Sequence, residues 1–227
     1  ASDVYKRQAL ISVVAFFIGA CAKKDDTPTT TTEVTCDRTA SGSITIGSDT
    51  VSSSYLMYTG STPVTGCYAM TSTGFPTGTQ SIKQQRIVTS STSFVDYTGY
   101  FSDTACTSTS VISYQYQKYS SLSVGDQVTG LTTSGGRPSS AYKVTYKADC
   151  ATAKGETDAG TELLNYNYSN TGVYLTTGTE QTFSTETTGS IYNIWASGNS
   201  GSSYSDGSRR NNDYPSDWDS NDTTYVK

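Results

Sequence analysis

Residues 142–149 read Tyr-Lys-Val-Thr-Tyr-Lys-Ala-Asp. Tyr142, Val144, Tyr146 and Ala148 alternate with Lys143, Thr145, Lys147 and Asp149. A side-chain period of two puts one set on each face of an extended strand. The same grammar runs outward in both directions. Val111–Tyr119 sets Ile112, Tyr114 and Tyr116 against Ser113, Gln115 and Gln117. Ser81–Thr89 and Ser93–Phe101 read as strands joined by a short Ser/Thr turn. Ser43–Ile46 and Ser54–Tyr58 flank Gly47-Ser48-Asp49 as a hairpin. Cys67–Thr71 is a further strand, set off by Gly74, Pro76 and Gly78. Gly125-Asp126 reads as a turn before Gln127–Thr133, and Gly135-Gly136-Arg137-Pro138 as a loop. Val173–Thr177 and Ile191–Ala196 complete the set. Short strands at a spacing of roughly ten residues predict an all-β fold, a β-barrel or a two-sheet β-sandwich.

Asp158–Tyr166 departs from this pattern. Ala159, Leu163 and Tyr166 recur at helical spacing behind a Thr157 N-cap, which predicts one short helix. Its Leu163/Leu164 pair is placed to plug one end of a barrel. Ser197–Lys227, rich in Ser, Gly, Asn and Asp, reads as irregular. Ser and Thr make up roughly a third of the chain, and apolar residues are only 34% of it, so Tyr (18 residues) has to supply much of the buried area.

The 227 residues carry 15 Lys+Arg against 20 Asp+Glu, a net charge of −5. Such a chain has no electrostatic footprint for nucleic acid. It contains no His (count 0), which excludes Ser-His-Asp triads, Cys-His dyads and imidazole metal ligation. No cofactor or metal is expected.

Ala9–Ala20 is an apolar run of about a dozen residues, too short for a membrane-spanning helix, and it follows Lys6 and Arg7. It ends Ile18-Gly19-Ala20-Cys21, which resembles the lipobox of bacterial lipoproteins. The resemblance implies a signal peptide over 1–20 and acylation at Cys21. With Ala22 in place of Asp after the cysteine, it also implies an outer-membrane, periplasmic or surface-facing location, with the membrane as partner through the acyl chains. Ala1–Gln8 resembles stray translation ahead of a lost true start. Lys23–Glu33, without an aliphatic residue, continues a tether over 21–35. A single domain is expected over 36–227.

With Cys21 set aside, Cys36, Cys67, Cys106 and Cys150 remain. An even number in an exported chain implies two disulfides, in any of three connectivities. Cys67, the element Phe101-Ser102-Asp103-Thr104-Ala105-Cys106 and a tail running Asp206-Gly207-Ser208, Arg210, Pro215, Asp217 and Tyr225-Val226-Lys227 resemble a group of small bacterial lipoproteins with lipocalin-like barrels. The Gly-x-Trp that often opens the first lipocalin strand is absent; Gly66 is followed directly by Cys67. The resemblance implies an antiparallel up-and-down β-barrel of calycin type, with the two-sheet β-sandwich as the alternative, and pairs Cys67 with Cys106 and Cys36 with Cys150.

Motifs for chemistry are sparse. Ser140-Ala141-Tyr142-Lys143 matches S-x-x-K, but in a strand the serine and lysine point to opposite faces. Asp217-Trp218-Asp219-Ser220-Asn221-Asp222 resembles half of a calcium loop without its Gly and Glu. Asp149, Glu156, Asp158 and Glu162 cluster in sequence as carboxylates do in glycosidases, or as a solvated loop does. Asn167-Tyr168-Ser169 and Asn221-Asp222-Thr223 are formal glycosylation sequons. The expectation is a non-enzymatic, lipid-anchored barrel that binds a small apolar or amphipathic ligand in an apolar cavity. The alternative is a surface adhesin or envelope-structural protein with a filled barrel, its tyrosines turned outward to a glycan or protein.

Overall fold

Strand alternation builds a sheet that closes on itself. A computed structural model describes residues 35–58, 65–70, 74–133, 137–218 and 223–227. The expected signal peptide, Cys21 and nearly all of the expected tether lie outside the described residues. The strands are β1 Ser43–Ile46, β2 Asp49–Ser52, β3 Ser54–Tyr58, β4 Cys67–Ala69, β5 Ser81–Ser90, β6 Ser93–Phe101, β7 Val111–Thr129, β8 Ser140–Gly155, β9 Gln181–Ser184, β10 Ile191–Gly198, β11 Ser203–Asp206 and β12 Thr223–Val226. The helix α1 spans Asp158–Asn167.

Eight of these strands form a closed antiparallel barrel in the order β3-β5-β6-β7-β8-β10-β11-β12, with β12 returning to β3. Consecutive barrel strands are neighbours, as in an up-and-down barrel. The long strand β8 changes partner along its length: Tyr142–Tyr146 pairs with β10, and Cys150–Ala153 pairs with β9. The short strand β4 pairs with the first residues of β5, at the same end of the barrel as β9.

Both ends of the barrel are filled. At one end the β1–β2 hairpin inserts Ile44, Ile46 and Val51, all buried, against Val88, Phe94, Val144 and Trp195. Gly47 at its tip has φ 65°, and a Cβ there would lie 2.5 Å from Tyr142 Oη, so only glycine permits this approach. Tyr55 Oη anchors the hairpin by donating to the Gly201 carbonyl (2.6 Å) and accepting from Ser52 N–H (3.0 Å). At the other end lies α1, capped by Thr157, whose Oγ1 accepts from Gly160 N–H at 3.1 Å. Leu164 is fully buried against Ala151, Ala153 and Phe183, while Leu163 packs on Ile82, Tyr100 and Ile112. The leucine pair therefore plugs that end, as the sequence predicts.

Several expectations need correction. The hairpin partner of Ser43–Ile46 is Asp49–Ser52, not Ser54–Tyr58. Ser53, at φ 68°, breaks the chain there and sends Ser54–Tyr58 into the barrel wall. Gly125-Asp126 is not a turn; β7 runs through it with register shifts at Ser120/Ser123 and Val124/Gln127 that bend one long strand. Val173–Thr177 is not a strand. The tail supplies β11 and β12, whose alternation (Tyr204 and Asp206; Thr223 and Tyr225) points inward and completes the barrel.

Cys36 is bonded to Cys150 and Cys67 to Cys106. Their sequence separations are 114 and 39 residues. In the chain-entropy view the longer loop contributes about 1 kcal/mol more. Replacing Cys36 and Cys150 with serine is thus expected to lower urea stability by more than replacing Cys67 and Cys106. Equal losses would show that loop length does not set the effect.

Candidate functional site

Antiparallel pairing of β5 with β6 sets Arg86 directly across from Asp96, and both side chains point into the lumen. Arg86 Nε donates to Asp96 Oδ1 (2.6 Å) and Nη2 to Oδ2 (2.8 Å), the bidentate geometry a guanidinium prefers. Its Nη1 lies 2.6 Å from Asp206 Oδ2, on β11, at ion-pair distance but off-axis for a hydrogen bond. Charge attraction, more than alignment, holds that contact. The other Asp206 oxygen accepts from Asn193 Nδ2 (2.5 Å) and Trp195 Nε1 (2.8 Å). The rings of Phe94 and Tyr225 lie 4.4 and 4.6 Å from the Arg86 guanidinium carbon.

A second arginine reaches in from the segment after β11. Arg209 donates to Asp96 Oδ2 and to Tyr119 Oη, and its guanidinium sits 4.7 Å from the Tyr119 ring centre. Burial alone disfavours the charged Arg86, yet the Asp206 and Asp96 carboxylates hold it charged far above any physiological pH. Burial likewise pushes against ionised Asp96, but Arg86 and Arg209 hold its carboxyl below the usual carboxylate range. The two cations and two anions balance.

Over this charged floor opens a cavity of about 420 Å³. Its walls are Gln84, Gln115, Gln117, Thr98, Thr223 and Met57. Contacts outside the cavity orient the amides. Tyr68 Oη donates to Gln84 Oε1, and Tyr168 Oη to Gln115 Oε1 at 3.1 Å. Gln117 Nε2 donates to Thr185 Oγ1 at 2.7 Å and to the Cys150 carbonyl at 3.2 Å. Gln84 and Gln115 therefore offer amide N–H groups to the cavity, and Gln117 offers its carbonyl oxygen. The lining is polar, where an apolar one was expected. The arrangement can hold and orient a small hydrogen-bonding molecule. Asp96, ionised and with both oxygens on arginine N–H groups, has no proton to give.

The residues singled out in sequence lie elsewhere. Ser140 and Lys143 sit three apart on β8, and Lys143 Nζ lies 5.0 Å from the Tyr214 ring centre. The clustered carboxylates do not converge: Asp149 is 4.0 Å from Lys118 Nζ, Glu156 is 2.7 Å from Lys154 Nζ, and Asp158 accepts from Thr177 Oγ1 at 2.8 Å. Asp217 caps the backbone of Thr132 (2.7 Å) and Trp218 (2.8 Å), while Asp219–Asp222 lie outside the described residues. Among the described residues no group of three His, Cys, Asp or Glu could hold a metal ion. Asn167 is exposed at the end of α1, and Asn221 lies outside the described residues. In the tail, Arg210 pairs by backbone with Tyr192, while Arg209, itself partly exposed, reaches Asp96 and Tyr119 with its guanidinium. Arg86, Asp96 and Arg209 carried no sequence signal beyond an arginine and an aspartate each set in an alternating strand. No family model matches the chain, and no curated protein matches it.

Asp96 adds stability above the ordinary carboxylate pKa of about 3.9, and that contribution drains as pH falls toward its lowered folded value. Urea stability should therefore drop below about pH 4, and Asp96→Asn should flatten that drop. Arg86→Met leaves buried Asp206 without its cation and Asp96 with Arg209 alone, and should cost about 3–5 kcal/mol at neutral pH. An Arg86→Met protein as stable as the parent would refute the assignment of this network as a matched buried set.

Proposed function

We propose that the protein is a lipid-anchored envelope protein, held by acyl chains on Cys21, whose lipocalin-like barrel binds a small molecule and does no chemistry on it. The observation that carries this reading is the 420 Å³ cavity with a charge-balanced floor and amides fixed in direction before any ligand arrives. Ligand sites of this kind are concave, largely preformed, and place a few polar groups with care. The four ionised groups of the floor cancel, so an ion entering the cavity meets no unopposed countercharge. The amides, Thr98 and Thr223 favour hydroxyl or amide groups, and Met57 with the Tyr119 and Tyr225 rings favours an apolar edge. An uncharged amphipathic molecule fits both, a narrower class than the apolar-or-amphipathic expectation.

Native mass spectrometry of the chain exported with both disulfides intact tests this. The expected result is a reproducible added mass that leaves on denaturation. Gln115→Leu with Gln117→Leu, which removes two of the oriented amides and keeps similar volume, should abolish it. A bare mass for the parent protein, from native hosts and rich extracts alike, would sink the proposal.

A further inference from the structure

The tyrosines of β6 and β7 that face away from the lumen gather on the outside of the barrel. Cross-strand pairing lines up Gln85, Tyr97 and Tyr116 in one row across β5, β6 and β7, and Lys83, Gly99 and Tyr114 in the next. Direct partners in a sheet share a face. Because Gly99 has no side chain, the second row sinks between Lys83 and Tyr114, leaving a groove of about 350 Å³. Tyr97 leans into that space: a Cβ on Gly99 would lie 2.2 Å from Tyr97 Oη. The Tyr97 and Tyr116 ring centres are 4.9 Å apart, and those of Tyr114 and Tyr116 are 5.8 Å apart.

Polar groups stand on both rims. Lys83 and Gln85 form one. On the other, Glu180 accepts from Tyr114 Oη at 2.6 Å and from Arg38 Nη2 at 3.3 Å, and the Arg38 guanidinium sits 4.5 Å from the Tyr116 ring centre. Cys106, at the end of the groove, is fixed by its bond to Cys67. The rings and the Arg38–Glu180 rim are thus ordered before anything binds, which lowers the entropic cost of binding.

The dimensions and chemistry of the groove decide the occupant. A stable protein partner covers about 800 Å² and 20–30 residues a side, more than this groove offers. A nucleic acid needs a basic field, and the chain carries −5. A lipid tail would offer nothing to Lys83 or to the polar face of the Arg38–Glu180 pair. A sugar ring presents C–H faces to an aromatic floor and hydroxyls to donors and acceptors at its edge. We propose that this outer groove binds a saccharide unit of a glycan.

The test uses the full chain on an array of oligosaccharides built from neutral hexoses, N-acetylhexosamines and uronic acids, with affinities of the hits measured by NMR titration. The expected result is binding that weakens by about tenfold or more in Tyr97→Ala. Gly99→Ala, which expels Tyr97 from its seat, and the rim substitution Lys83→Ala should weaken it too. Gln117→Ala, inside the lumen, should leave it unchanged. Unaltered circular dichroism and thermal melting of Lys83→Ala keep the comparison valid should a groove-floor variant misfold. No binding to any member of the array overturns the proposal, as does binding that survives Lys83→Ala and every folded floor variant.

Discussion

The Arg86 guanidinium sits almost fully inside the barrel (side chain 1% exposed), and a buried cation has to be matched or the fold around it fails. Its partners come from separate parts of the wall: Asp96 from the neighbouring β6, Asp206 from β11, and rings from β6, β10 and β12. Between β5 and β11 stand β3 and β12, so the Arg86–Asp206 contact reaches across the lumen. The strands β11 and β12 are four residues each and make short ladders. A charge that needs Asp206 in place fixes where those short strands dock. An apolar interior of equal volume would be as stable or more so. What the charged set adds is a barrel that cannot collapse onto itself at mid-height.

That constraint explains why the sequence was legible in one respect and misleading in another. Alternation in Val111–Tyr119 correctly sorts Tyr114 and Tyr116 from Gln115 and Gln117. It does not say which set faces in. The ordinary rule, apolar inward, fails because the lumen here is polar, and the glutamines take the inside. Ile112 escapes the inversion at the register shift near Phe101 and packs under α1. In β8 the rule holds, since Val144 and Tyr146 face the hairpin plug. The wall thus changes character along its length, apolar against the hairpin and against the helix and polar between them, and no local window of sequence carries that information.

The site itself was hidden by distance along the chain. Asp96 and Asp206 lie far apart, so a search for carboxylates close in sequence finds Asp149, Glu156, Asp158 and Glu162, which the fold scatters over the surface. Composition hid the tail as well. Ser, Gly, Asn and Asp read as loop, yet Tyr204, Asp206 and Tyr225 sit at alternate positions and are all buried. A short strand can be mostly polar when its inward residues have a charged lumen to face. The helix was readable because its signals are local: a Thr157 cap and a leucine pair within three turns.

Turning the glutamines in necessarily turns the tyrosines out. A strand has two faces, and a sequence that lines a polar chamber with one set of residues must place the other set against water. Most sheets would answer with charge on the outer face. Here the outer face is aromatic, and Tyr97, Tyr114 and Tyr116 are half-buried by one another and by Arg38 in place of a second layer. Burial, first of all, raises the phenol of each above its ordinary value, so all three stay neutral hydrogen-bonding groups at physiological pH. One alternation therefore produces two different surfaces on opposite sides of a single wall. Swapping polar for apolar along β7 would fill the cavity and dissolve the groove together, so the inner and outer surfaces constrain each other through the pleat of the strand.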